Sequence, residues 1–140
     1  MFTKATEDSV YKTVKKTFDN NRWSYNADDR NHRLLTGFLG DDLRIKLSVE
    51  VTSLDIRFVT MFDYQVPKEK RTEFVLELNK INKDLAYGCF SLDPDDGSVF
   101  FAFTHIFEGG KPSDELIEQL VTLVVQTTDE HDGDLQKILS

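Results

Sequence analysis

Leu43, Ile45, Leu47, Val49 and Val51 alternate with Arg44, Lys46, Ser48, Glu50 and Thr52. A period of two puts the apolar set on one face of a strand and the polar set on the other, so this segment demands a sheet with one buried and one wetted side. Leu54, Ile56, Phe58 and Phe62 continue the apolar face after a tight turn at Thr52-Ser53. Pairing across that turn sets Val51 opposite Leu54, Val49 opposite Ile56 and Leu47 opposite Phe58, with all the apolar side chains on one side. Leu34 to Leu39 precede them through Gly40-Asp41-Asp42, which makes an antiparallel meander. Arg44, Lys46, Glu50, Asp55 and Arg57 fall on the wetted face.

Three further segments have helical periodicity. Thr6 to Asn20 carries Val10, Val14 and Phe18 four apart with Tyr11 beside them, and Glu7 and Asp8 suit the positive end of the helix dipole. Arg22 to Tyr25 suggests a short strand and Asn26 to Arg33 a polar loop. Pro67 fits the start of a second helix, whose buried stripe is Phe74, Leu78, Ile81 and Leu85. Tyr87 to Leu92 and Val99 to Phe107 then form a hairpin around Asp93-Pro94-Asp95-Asp96-Gly97-Ser98. Pairing Leu92 with Val99 and Phe90 with Phe101 leaves Cys89, Ser91, Phe100 and Ala102 on the opposite face. Gly109-Gly110 launches a last helix capped by Ser113. Its stripe is Leu116, Leu120, Leu123 and Thr127, widened by Ile117, Val121 and Val124, and Gly133 is placed to stop it. The core is expected to rest on Phe58, Phe74, Leu78, Phe90, Phe101 and Leu120.

The chain has 140 residues, enough for one domain spanning 1–140 with a single core. Its net charge of −8 argues against nucleic acid as a partner, because affinity for phosphate backbones comes from Lys and Arg. The charge is unevenly spread. Residues 84–140 carry 2 Lys+Arg against 12 Asp+Glu, whereas residues 1–83 carry 15 against 13. That acidic half points to solubility first and to a basic partner second. One cysteine excludes an internal disulfide framework and suits a reducing compartment, and the sequence has no secretory signal pattern and no membrane-spanning run, so the cytoplasm is expected.

Candidate chemistry is sparse. Asp93-Pro94-Asp95-Asp96-Gly97 invites calcium, yet a calcium-binding EF-hand loop needs Gly at its sixth position and Glu at its twelfth, where this chain has Ser98 and Thr104. His32, His105 and His131 are scattered, and Cys89 has no second Cys or nearby His. No phosphate loop, dinucleotide fingerprint or nucleophile elbow is present, so neither catalytic residues nor a cofactor or metal is expected. Asn79 and Asn82 share a helix face, and such a pair most often anchors the following loop through backbone hydrogen bonds.

The run Leu78-Asn79-x-x-Asn82-x-x-Leu85-x-x-Gly88-x-Phe90-x-Leu92-Asp93, followed by a Phe-rich strand, Gly109-Gly110 and a helix opening Pro-Ser-Asp-Glu-Leu, resembles the YbjN family, described as bacterial sensory transduction regulators. The resemblance implies an α+β fold like that of type III secretion chaperones: an antiparallel five-stranded sheet with helices on one side, in the order α-β-β-β-α-β-β-α. It implies no catalytic residue. The expected function is a non-enzymatic regulatory or chaperone-like module in signal transduction or stress response, binding a protein or peptide and paired as a homodimer, as chaperones of this fold commonly are. A small-ligand binder or an enzyme with an atypical pocket is the alternative, and the lack of convergent titratable residues separates the two. The expected partner surface is the sheet face opposite the helices, at Val59, Met61, Cys89, Phe100, Ala102 and Ile106. There the last hairpin places apolar side chains where the earlier strands place charges.

Overall fold

The structure, a computed structural model, describes residues 6–108 and 110–140. Of the expectations above, those on Gly109 and on residues 1–5 of the amino-terminal segment lie outside the described residues. Helix α1, Glu7–Asn20, starts with a capping box in which the Thr6 hydroxyl accepts the Ser9 N–H and the Ser9 hydroxyl accepts the Thr6 N–H. It ends with the Trp23 N–H on the Phe18 carbonyl and the Arg22 N–H on the Asp19 carbonyl, a Schellman closure whose left-handed position is occupied by Arg22 at φ 57°. The Trp23 and Phe18 rings meet edge to face at 5.2 Å, the apolar contact that accompanies this closure. Arg22 to Tyr25 is therefore a helix exit and connection, not the strand expected there.

Six antiparallel strands follow the order β1-β2-β3-β4-β6-β5: β1 Asn26–Asp28, β2 Arg33–Leu39, β3 Arg44–Val51, β4 Asp55–Gln65, β5 Cys89–Leu92 and β6 Ser98–Ile106. The extra strand is β1, which lies in the segment expected to be a polar loop. It carries no apolar alternation and pairs with Arg33 to Leu35 through its backbone. Between β4 and β5 come a 3₁₀ turn, Lys68–Lys70, entered from Pro67, and helix α2, Arg71–Asp84. Helix α3, Asp114–Leu139, is capped by the Ser113 hydroxyl.

The β5–β6 hairpin has the expected register, Leu92 opposite Val99 and Phe90 opposite Phe101. The β3–β4 hairpin does not. Val51 faces Ile56 and Val49 faces Phe58, two residues away from the expected pairs, because the turn centres on Ser53-Leu54. The Thr52 hydroxyl accepts both the Leu54 and Asp55 N–H groups and donates to the Asp55 carboxylate at 2.7 Å. Leu54 is consequently exposed at the turn rather than part of the apolar face, and Asp55 is buried rather than wetted, with Arg57 Nε donating to it at 3.2 Å.

All six residues expected to carry the core are buried in one cluster, together with the inward positions of β3, β4 and β6 and the inner faces of the three helices. On α3 the expected Ile117, Leu120, Val121, Val124 and Thr127 are buried, whereas Leu116 and Leu123 are half-buried. The buried face also takes in Thr128, Asp132 and Leu135, which lie outside the expected stripe. Gly133 does not stop the helix: it points to solvent, where glycine costs about 1 kcal/mol, and Leu135 beyond it is buried in the core.

Where α3 crosses β4 the interface turns polar. The Thr128 hydroxyl donates to the Val124 carbonyl and receives the Thr60 hydroxyl at 2.6 Å. Tyr64 and Gln136 both donate to the Asp132 carboxylate. Burial raises the Asp132 carboxyl above its ordinary value, with Asp42 and Asp129 pushing the same way against those two hydrogen bonds. Burial and the Asp132 charge raise the Tyr64 hydroxyl as well.

At the far edge of the sheet, the Asn82 amide donates to the Phe90 carbonyl at 2.8 Å and accepts the Phe90 N–H at 2.7 Å. It thus imitates a neighbouring strand and closes the edge of β5, the backbone anchoring expected of that helix face. Gly88 precedes this contact at φ 71°, where a Cβ would lie 2.3 Å from the Phe101 ring.

Candidate functional site

Because all three helices pack on one side, the outward side chains of the sheet have no helix over them. The register stacks those side chains into rows. One runs Leu35, Ser48, Val59, Ala102, Cys89 across β2, β3, β4, β6 and β5. The next runs Gly37, Lys46, Met61, Phe100, Ser91. Together they make an apolar strip, in which Leu35, Val59, Met61 and Phe100 line a depression of about 300 Å³ with Lys46 and Ser48 at its wall. Charge bounds the strip on both sides. Toward one end lies the row Arg33, Glu50, Arg57, Thr104, where Arg57 reaches Glu50 at 3.9 Å and Asp55 at 3.2 Å. Toward the other lie Arg44 and Asp63, joined by the Arg44 N–H on the Asp63 carboxylate at 3.0 Å.

Five of the six residues expected at the partner surface, Val59, Met61, Cys89, Phe100 and Ala102, thus fall in two adjacent rows. Ile106 does not join them. It is exposed on the same face, but pairs with Asp55 at the end of the sheet, separated from the strip by the Arg57–Thr104 row. Leu35 was not among the expected residues, although it lines the strip and is 42% exposed. The alternation of β2 would have found it: Leu34 is buried, so its neighbour Leu35 must face outward.

In the loop Asp93–Ser98 two of the three carboxylates, those of Asp93 and Asp96, serve the turn. Asp93 accepts the Asp95 N–H and Asp96 accepts the Ser98 N–H, which with the nearby Arg71 charge lowers the Asp96 carboxyl below its usual range. Among the described residues no group of three or more His, Cys, Asp and Glu is placed to hold a metal ion, and no helix is long and apolar enough to cross a membrane.

The model of the YbjN family, described as "Putative bacterial sensory transduction regulator", matches residues 11–137. The chain belongs to the YbjN family. Among solved structures, it is similar to YbjN from E. coli, described as "a putative transcription regulator", with a TM-score of 0.66 and 13% identity over 88% of this chain and 91% of that one. It is similar too to an uncharacterized protein from Methanothermobacter thermautotrophicus, with a TM-score of 0.64 and 15% identity over 91% of this chain and 97% of that one. At such identities the likeness is one of fold. No curated protein matches the sequence significantly.

Proposed function

We propose that the chain is a non-catalytic regulatory module that binds a partner protein across the open face of its sheet. The observation that carries this reading is the uncovered apolar strip of Leu35, Val59, Met61, Phe100, Ala102 and Cys89, set between two charged rows. Apolar residues rimmed by charge are the usual anatomy of a protein interface, and water-facing sheet positions without a partner ordinarily carry polar side chains. The acidic surface that suggests a basic partner is elsewhere, on α3 and the β5–β6 turn. The rim of the open face mixes Arg33, Arg44, Lys46 and Arg57 with Glu50, Asp55 and Asp63.

The one cysteine is exposed in the strip, so a photo-activated maleimide cross-linker on Cys89 reports what sits there. In extract of the native host it is expected to trap a partner protein, and Met61→Ser/Phe100→Ser is expected to lose that product while keeping the parent's circular dichroism. A folded double variant that traps the same product shows that the strip has no binding role, and one that unfolds assigns these side chains to the core. A second copy of the chain competes for the same strip. Light scattering that gives twice 16.2 kDa for the parent and 16.2 kDa for the double variant makes the homodimer the occupant instead.

A further inference from the structure

The strip continues into a second recess, and the two differ in charge. Leu35, Thr36 and Lys46 line both the apolar depression and a larger one of about 630 Å³ at the β2 edge, where Arg22, Trp23, Tyr25 and Arg44 complete the wall. Arg22, Arg44 and Lys46 therefore converge on one end of the strip. Among the described residues none of the three forms an ion pair, whereas Arg33 and Arg57 of the same face do. The carboxylate nearest Arg44 in sequence pairing, Asp63, is engaged by the Arg44 backbone N–H rather than by its guanidinium.

The recess is built on rigid parts. Arg22 is fixed by the Schellman closure of α1, Trp23 is held edge to face between Phe18 and Phe38, and Tyr25 is tied to Asp19 by its hydroxyl at 2.8 Å. The recess also adjoins free backbone. β1 pairs only with Arg33 to Leu35 and the Thr36 hydroxyl donates to the Ser24 carbonyl beside it, so beyond that contact β2 from Gly37 to Leu39 is paired on its β3 side alone. An extended segment added there gains main-chain hydrogen bonds, and its side chains on one face look onto the strip.

We propose that the partner segment is acidic: an extended stretch that adds to the β2 edge, seats apolar side chains on the strip and brings carboxylates to Arg22, Arg44 and Lys46. This rests on the reading that the open face binds a partner protein. Charge complementarity selects the occupant. Three unpaired cations suit two or three carboxylates, while a nucleic acid presents a continuous line of phosphates that would run beyond these cations into the field of a chain with net charge −8.

The test is selection of a displayed library of random dodecapeptides on the immobilised protein. Enrichment of sequences that join Asp or Glu to aliphatic or aromatic residues is the expected result. The charge-reversed variant Arg44→Glu/Lys46→Glu is expected to enrich Lys and Arg in their place, and to bind synthetic copies of the parent's peptides on the order of tenfold more weakly at low salt. Apolar peptides without acidic bias, lost on Met61→Ser/Phe100→Ser, would overturn the acidic partner and leave the binding face standing. No enrichment that depends on the strip overturns both. A single-stranded dT12 that binds more tightly than the selected peptides, and loses binding on charge reversal, makes the occupant a nucleic acid.

Discussion

Arg22 is where a residue's own cost is most visible. A side chain at φ 57° is disfavoured by roughly 1 kcal/mol or more, and glycine is the usual occupant of this helix-closing position. Glycine also loses more entropy on folding, which returns part of that gain. Arg22→Gly is therefore expected to stabilise the fold by about 0.5–1 kcal/mol in thermal or urea unfolding. The same substitution removes one of the three cations of the β2-edge recess, so acidic peptides are expected to bind more weakly to a more stable protein. A parent and variant of equal stability would mean that the left-handed backbone costs no more here than the entropy glycine loses on folding. Single residues were legible in the sequence where burial decides. Phe58, Phe74, Phe90 and Phe101 are fully or almost fully buried, as expected, because large aromatic side chains dominate a core of this size. Arg22 was not legible, since nothing in its neighbours' periodicity announces a left-handed backbone.

Elements show what periodicity decides and what it leaves open. Alternation in β3 and β4 identified both strands and their faces, yet a shift of two residues leaves every side chain on its face, so alternation is blind to it. The Thr52 hydroxyl settles the choice through the Ser53-Leu54 turn. β1 was missed for a related reason, being held by backbone pairing without an apolar face. The buried face of α3 extends beyond the expected stripe because Thr128 and Asp132, polar residues, belong to it and a count of apolar positions passes them by. That polar seam gives a prediction. In Thr128→Val the Thr60 hydroxyl, buried on the inner face, loses its acceptor, which is expected to cost about 1–3 kcal/mol, whereas Thr60→Val/Thr128→Val removes both hydroxyls and is expected to recover most of the loss. Urea denaturation of the two single variants and the double decides it. Additive losses would show that the pair is not coupled.

At the scale of the molecule, the acidic face of α3 and the cations of the β2-edge recess lie on opposite sides of the sheet. Helix α3 carries Glu115, Glu118, Glu130 and Asp134 at exposed positions, while the open face mixes Arg33 and Arg57, both ion-paired, with Glu50, Asp55 and Asp63 and adds Arg44 and Lys46, which form no ion pair among the described residues. An acidic segment approaching the open face therefore meets attraction at the rim and repulsion from behind the sheet. The two differ in range. Rim contacts act at hydrogen-bonding distance, but α3 lies on the other side of a sheet, about 10 Å or more away, which is comparable with a Debye length of about 8 Å at physiological ionic strength. Glu115→Gln/Glu118→Gln/Glu130→Gln is accordingly expected to raise the association rate of an acidic peptide about two- to fivefold at low salt, to leave its dissociation rate unchanged, and to have no effect at physiological salt. Stopped-flow fluorescence at both salt concentrations separates the terms. A dissociation rate that falls in the triple variant, or a gain that persists in salt, would show that α3 itself touches the peptide and that the binding surface is not confined to the open face of the sheet.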